Sequence, residues 1–355
     1  MRCETLAFFT VLWYNDAIMK AYRIQSIHSI SLDELDALPV GDNCVKLKNL
    51  LCGISPTDIF AYTGNVQVNY PIIPVRKCVG FVSETGEGVT GVQRGNRVVV
   101  YPQASCHSCK ACKDGRYYDC DKPAEFGIDD DGFLSDFSVV SADDVFVIPD
   151  RLKDEEAIYT EQTAIAINVV SKLGLEKGEH LVIVGASEVG IILAQVAMYY
   201  QAVPIVVDMH EDMLEAARKA GVYYTINSVD DDVNKKVLAI TGGHMADASA
   251  YLLSSTMPLQ NVFDCTARGG RIALVGRPNV DDLKCNLSGL VAKHLDLITV
   301  ADCGKNYPSA INMLANNTVK TDVLPSRTIG FADVPAAFEE IASNGTEDVR
   351  VLVKI

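Results

Sequence analysis

The stretch His180-Leu-Val-Ile-Val-Gly185-Ala-Ser-Glu-Val-Gly190 decides the fold. Its first half is an apolar run with no polar alternation, the pattern of a strand covered on both faces, as in a parallel sheet. Its second half is a glycine-bounded turn that leads into a helical pattern from about Val189 to Tyr200. A second apolar strand, Pro204 to Asp208, follows, and then a second helical pattern closed by Gly221. Strand, helix, strand and helix in this order predict a βαβ unit. Further strands are predicted at Ala248–Ser254, Arg271–Gly276 and Leu295–Val300, which extends an open doubly wound sheet to about Val300.

The turn carries glycine at the first and third positions of a dinucleotide fingerprint, Gly185 and Gly190, with Ser187 at the second. Such a turn lets backbone amides at a helix N-terminus meet a diphosphate, and a serine adds only a small side chain there. Asp208 closes the second strand, where a carboxylate would meet ribose hydroxyls and repel a 2′-phosphate. No arginine follows it directly, so NAD is expected over NADP. The expected cofactor residues are Gly185, Ser187, Glu188, Val189, Gly190 and Asp208, with Val275 and Gly276 at the nicotinamide end. A strand-capping aspartate beside an ordinary turn is the plainer alternative.

Upstream, from Met19 to about Pro149, short alternating runs separated by glycine-rich turns predict a β-rich domain. Glu155 to Leu173 has helical spacing and stops at Gly174. Within the β-rich part stands CHSCKACKDGRYYDC, with Cys106, Cys109, Cys112 and Cys120 spaced by two, two and seven residues. Four thiolates close a tetrahedral zinc site and leave no position for substrate, so one structural zinc per chain is expected there; a disulfide pair or four unrelated thiols are the alternatives. The other seven cysteines are scattered and the total is odd, which points to a reducing, cytoplasmic setting. The last segment, 301–355, returns to mixed patterns and ends in the strand-like VRVLVKI.

With 355 residues and 48% hydrophobic content the chain can form two cores. A net charge of −15, with no basic run to offset it, argues against nucleic acid and anionic membrane surfaces as partners. The opening MRCETLAFFTVLWYNDAI is too short in its apolar part to span a bilayer and is read as an extension over residues 1–18.

The cysteine lobe, the glycine pattern from Gly80 to Val98 (GxVxxxGxxVxxxxxGxRV) and the nucleotide fold together resemble the zinc-containing alcohol dehydrogenases of the medium-chain dehydrogenase/reductase superfamily, nearest the polyol and threonine dehydrogenase branch. The resemblance covers 19–355. It implies a GroES-like catalytic domain over 19–155, a Rossmann domain over 156–300, a C-terminal return to the first domain over 301–355, and a homodimer or homotetramer acting on a small molecule. It also implies a second, catalytic zinc in the interdomain cleft.

At that second site the sequence departs from the family. The G-I-C-G-T-D block aligns with Gly53-Ile54-Ser55-Pro56-Thr57-Asp58, so Ser55 stands where the family has a ligand cysteine. The G-H-E block aligns with Val75-Arg76-Lys77. Glu161, from the E-P block, is the retained position. A serine hydroxyl ligates weakly and a guanidinium has no lone pair to give, so no catalytic metal is expected. Two former ligands of one ion must be neighbours, which predicts Arg76 and Glu161 within ion-pair reach. Two readings of that pair remain open: a cation that polarises a substrate carbonyl as zinc would, or a buried salt bridge without catalytic duty. The expected catalytic residues are Thr57, Arg76 and Glu161, with Lys77 as an additional cation. The leading function is NAD(H)-dependent hydride transfer to or from an alcohol or ketone carbon. The alternatives are zinc-independent reduction of an activated alkene, a non-catalytic nucleotide-binding descendant, or an unusual ion held by Glu161 with Cys52 or Cys78.

Overall fold

The computed structural model describes residues 18–253, 255, 257–276, 285–344 and 351–355. The extension expected over 1–18 therefore lies outside the described residues up to position 17, and Ile18 opens the first strand, Ile18–Ser26.

The nucleotide domain is a six-stranded parallel sheet. Its spatial order is Tyr224–Asn227, Val203–Asp208, His180–Val184, Ala246–Leu252, Thr266–Val275 and Asp296–Val300. The chain starts this sheet in the middle, works to one edge, then crosses back and works to the other. The reversal falls between His180–Val184 and Ala246–Leu252, and the carboxyl ends of strands at such a point form a crevice for ligands. Leu181, Val182, Ile183 and Val184 are all buried, as an apolar strand with helices on both faces requires. The short edge strand Tyr224–Asn227 has no run of apolar residues to announce it; it is recruited by pairing with Val203–Asp208.

The β-rich domain is built on a seven-stranded sheet in which Cys44–Ile54 pairs with Lys77–Thr85, Phe137–Ser141 and Val351–Lys354. The C-terminal strand thus closes the domain that the N-terminal half began. Among the described residues this return is carried by 327–344 and 351–355, because Arg327–Gly330 joins the same sheet and helix Val334–Asn344 packs on helix Pro56–Thr63. Helix Tyr307–Ala315, inside the segment expected to belong to the return, packs instead on helix Thr160–Leu173. The helical spacing read over 155–173 resolves into a short helix, Asp154–Ala157, and helix Thr160–Leu173, whose C-cap Gly174 sits in the left-handed region at φ 56°.

Rings connect the cysteine lobe to the domain junction. Tyr117 of the lobe packs edge-on against Tyr101 at 5.8 Å, and Tyr101 packs against Tyr307 at 5.0 Å, which also touches Phe146. Among the described residues no helix is long and apolar enough to cross a membrane.

Candidate active site at the domain junction

The site is assembled from one helix start and one strained turn. Ser55 caps helix Pro56–Thr63, Pro56 supplies a preset φ in its first turn, and Asp58 reaches back to the cap. One carboxylate oxygen of Asp58 accepts from Ser55 N at 2.7 Å and Ser55 Oγ at 2.6 Å; the other accepts from Val75 N at 2.9 Å. Burial pushes the Asp58 carboxyl up from its ordinary value, against the Ser55 hydrogen bonds and the Arg76 charge. Val75 has φ 76°, rare for a β-branched residue, and persists only because its surroundings over-determine it. Besides the Asp58 bond, its carbonyl accepts from Phe133 N, and a Cβ on Gly132 would lie 2.3 Å from that oxygen. The turn therefore points the next residue, Arg76, in one direction.

Arg76 sits between two carboxylates. Its Nη2 lies 3.0 Å from Glu161 Oε1, and its Nη1 is paired with Glu125. Burial by itself would lower the guanidinium's basicity; the charges of Glu161, Glu125 and Asp58 outweigh it and push it further up. Two atoms of this cluster, Arg76 Nε and Glu161 Oε2, are buried without a hydrogen-bond partner. Buried polar atoms are nearly always satisfied, so this donor and this acceptor call for a partner, whether water or a ligand group. Both residues line a pocket shared with Thr160, Val100, Pro102 and Tyr307. The structure thus brings Arg76 and Glu161 together, whereas Thr57, half-buried on the first turn of its helix, is not among the residues lining this pocket.

Glu125 was not anticipated from sequence. It lies 49 residues from Arg76 and reaches it through strand Ala124–Glu125, which pairs with Gln103–Ala104. Its one signal was composition: adjacent cations at 76 and 77 call for more than one anion wherever they leave water. Lys77 meets a different partner, Glu188, at 3.6 Å.

The four cysteines of the lobe converge. Their sulfurs lie within 4.8 Å of one another, and among the described residues they form the one group of three or more such donors able to hold a metal ion. Backbone amides of Cys109, Cys112 and Cys106 donate to the sulfurs of Cys106, Cys109 and Cys120, which favours thiolates. The donor set suits a four-coordinate structural zinc. Cys52 and Cys78 face one another across paired strands, buried, with their sulfurs hydrogen-bonded to Phe133 O and Asn49 Oδ1. Among the described residues no such convergence exists around Arg76: of the positions that the resemblance assigns to a cleft zinc, Ser55 is hydrogen-bonded to Asp58, Arg76 and Lys77 are cations, and Glu161 is paired with Arg76. That donor set does not fit a zinc ion.

The dinucleotide turn fits its group. Gly185 adopts φ 106°, and a Cβ on Gly190 would lie 2.0 Å from Gly185 O, so glycine at 190 permits the close approach of helix Glu188–Tyr199 to the strand before it. Ser187 is the N-cap residue but makes no side-chain cap bond, leaving the first amides of the helix available to phosphate oxygens. Asp208 uses its oxygens to hold the turn, accepting from Ala186 N at 2.5 Å and His210 N at 2.9 Å. Val275 ends its strand and Gly276, at φ 89°, bonds to Val300 O, both at the carboxyl edge of the sheet.

Two domain families match the chain: the alcohol dehydrogenase GroES-like domain over residues 41–150, and the zinc-binding dehydrogenase domain over 189–316. An uncharacterised zinc-type alcohol dehydrogenase-like protein of Haemophilus influenzae is 30% identical over 336 residues, covering 94% of this chain and 98% of that protein. Sorbitol dehydrogenase of Bacillus subtilis is 28% identical over 341 residues, covering 94% and 97%. Among solved structures, the alcohol dehydrogenase rspB from Escherichia coli CFT073, complexed with NADH, superposes with a TM-score of 0.86 at 25% identity, covering 96% of this chain and 100% of that one. With its GroES-like and Rossmann domains, its cysteine lobe and its dinucleotide turn, the chain belongs to the zinc-type alcohol dehydrogenase family of the medium-chain dehydrogenase/reductase superfamily and is an alcohol dehydrogenase-like oxidoreductase.

Proposed function

We propose that the chain transfers hydride between NAD(H) and the carbinol or carbonyl carbon of a small, uncharged, polyol-like substrate, with Arg76 and Glu161 in the place of a catalytic zinc. The observation that carries this reading is the unpaired donor and acceptor beside one pocket, Arg76 Nε and Glu161 Oε2. A hydroxyl both donates and accepts, so it matches the two atoms, and the nearby charges of Glu125 and Glu161 disfavour an anionic substrate. The nicotinamide supplies or takes the hydride when bound. Arg76 steadies the negative charge that grows on the substrate oxygen, and Glu161 holds the hydroxyl proton. The relatives named sorbitol dehydrogenase support the polyol class. A reducing, cytoplasmic setting and assembly into a homodimer or homotetramer belong to the same proposal; the free thiols support the first, and sedimentation measures the second.

A second reading, in which the cluster is a structural salt bridge in a chain that binds nucleotide without turnover, draws on the two carboxylates that already neutralise Arg76. Turnover of a panel of polyols and ketones, followed by NADH absorbance with metal content measured in parallel, separates the readings. The proposal expects turnover with one zinc per chain and its loss in Arg76→Lys, which keeps the charge but lacks the Nε donor. Two zincs per chain, or binding without turnover, refutes it.

A further inference from the structure

We propose that Lys77 is a cofactor-positioning residue, whose ammonium, held across the domain junction against Glu188, cancels a carboxylate at the mouth of the dinucleotide turn and so lets that turn accept the NAD(H) diphosphate. This rests on the NAD(H) binding of the preceding reading and adds to it a residue from the other domain.

Glu188 is the first residue of helix Glu188–Tyr199, directly after the N-cap Ser187. A carboxylate there is favoured by the helix dipole, and for the same reason it stands in the field that an incoming diphosphate uses. Left alone it would repel that group. Lys77, on strand Lys77–Thr85 of the β-rich domain, brings its Nζ to 3.6 Å from Glu188 Oε2. Its stem is fixed by the strand opposite: Gly53 is its register partner, and a Cβ on Gly53 would lie 3.3 Å from Lys77 Cδ, so the small residue leaves the lane that the stem occupies. Both charges are largely buried, with side-chain exposures of 13% and 18%, so solvent screens them weakly. Gln162 donates to the same carboxylate oxygen at 3.4 Å, and its own Oε1 is buried without a partner, on a residue only 4% exposed. Lys77, Glu188 and Gln162 line one pocket with Gly53 and Tyr159. An unpaired acceptor in a pocket beside the dinucleotide turn is an independent sign that a ligand with hydrogen-bond donors belongs there, which the ribose hydroxyls and carboxamide of NAD(H) supply and its diphosphate does not.

The sign of the effect distinguishes this from a bridge that merely joins the domains. If Lys77 acts by cancelling Glu188, its removal weakens NADH binding, removal of Glu188 strengthens it, and removal of both returns it to the starting level. The test is NADH titration, followed by the enhancement of its fluorescence, on the full chain with Lys77→Gln, Glu188→Gln, the double variant and Lys77→Arg, with thermal midpoints measured alongside. Lys77→Gln should raise Kd about tenfold, equivalent to about 1.4 kcal/mol. Glu188→Gln, which keeps the backbone amides of the turn and frees the Lys77 charge, should lower Kd, and a Kd that does not fall overturns the inference; the double variant should lie close to wild type, and Lys77→Arg should rescue. Equal weakening by both single variants, an unchanged Kd in Lys77→Gln, or a double variant as weak as Lys77→Gln overturns the inference. Absence of NADH binding by the wild-type chain instead overturns the reading on which it rests.

Discussion

Arg76→Met removes the charge at the centre of the junction while keeping much of the side chain's length and apolar contact. At 3.0 Å, the Arg76–Glu161 attraction alone is about 5.5 kcal/mol before desolvation is subtracted, with an effective permittivity of about 20. Arg76 is 22% exposed and the two glutamates 8% and 9%, so all three charges were stripped of most of their water when the chain folded. The variant takes away the cation that Glu125 and Glu161 share, and breaking a buried pair from one side costs about 3–5 kcal/mol. Replacing the whole charged set should cost far less, because Arg76→Met combined with Glu125→Gln and Glu161→Gln leaves no bare charge behind. Urea unfolding followed by far-ultraviolet circular dichroism measures both, midpoints being compared at unchanged slope. A loss below about 1 kcal/mol in the single variant, or a triple variant no more stable than the single, would refute the assignment of Arg76 as a buried counter-charge.

Chelation under denaturing conditions should release one zinc per chain, and Cys112→Ser should abolish that stoichiometry and lower the thermal midpoint, read by a colorimetric zinc dye and by calorimetry. For Asp58, the fold raises the carboxyl's pKa, so the folded state holds the proton longer than the unfolded chain; stability should decline as pH climbs from the ordinary carboxylate range through Asp58's own value. Asp58→Asn should lack that decline and, because its amide meets the donors Ser55 N and Val75 N, lose about 1–3 kcal/mol at neutral pH. Gly190→Ala places a methyl 2.0 Å from Gly185 O and should abolish NADH binding in titration while leaving the four-cysteine zinc in place.

Features carried by local spacing were legible in the sequence. The apolar run at 181–184, the glycines at 185 and 190 and the cysteine spacing each encode a geometry within a few residues. The pairing of Arg76 with Glu161 was legible for another reason: two positions that would have shared an ion must lie side by side. What escaped is the chemistry that only the folded chain assembles. Glu125 meets Arg76 by way of a two-residue strand, and Lys77 meets Glu188 because two domains close on one another. Strand Tyr224–Asn227, half-polar and four residues long, is a strand by virtue of its neighbour and not of its own composition.

The ring contacts that run from Tyr117 through Tyr101 to Tyr307 give the cysteine lobe a reach beyond its own fold. Tyr307 forms part of the wall against which Arg76 and Glu161 stand, so on the function proposed above an ion bound in the cysteine lobe would prop the chamber where the reactant sits without meeting it. Starving such a chain of zinc should slacken that wall first, and a decline in turnover should precede any wholesale collapse of the molecule.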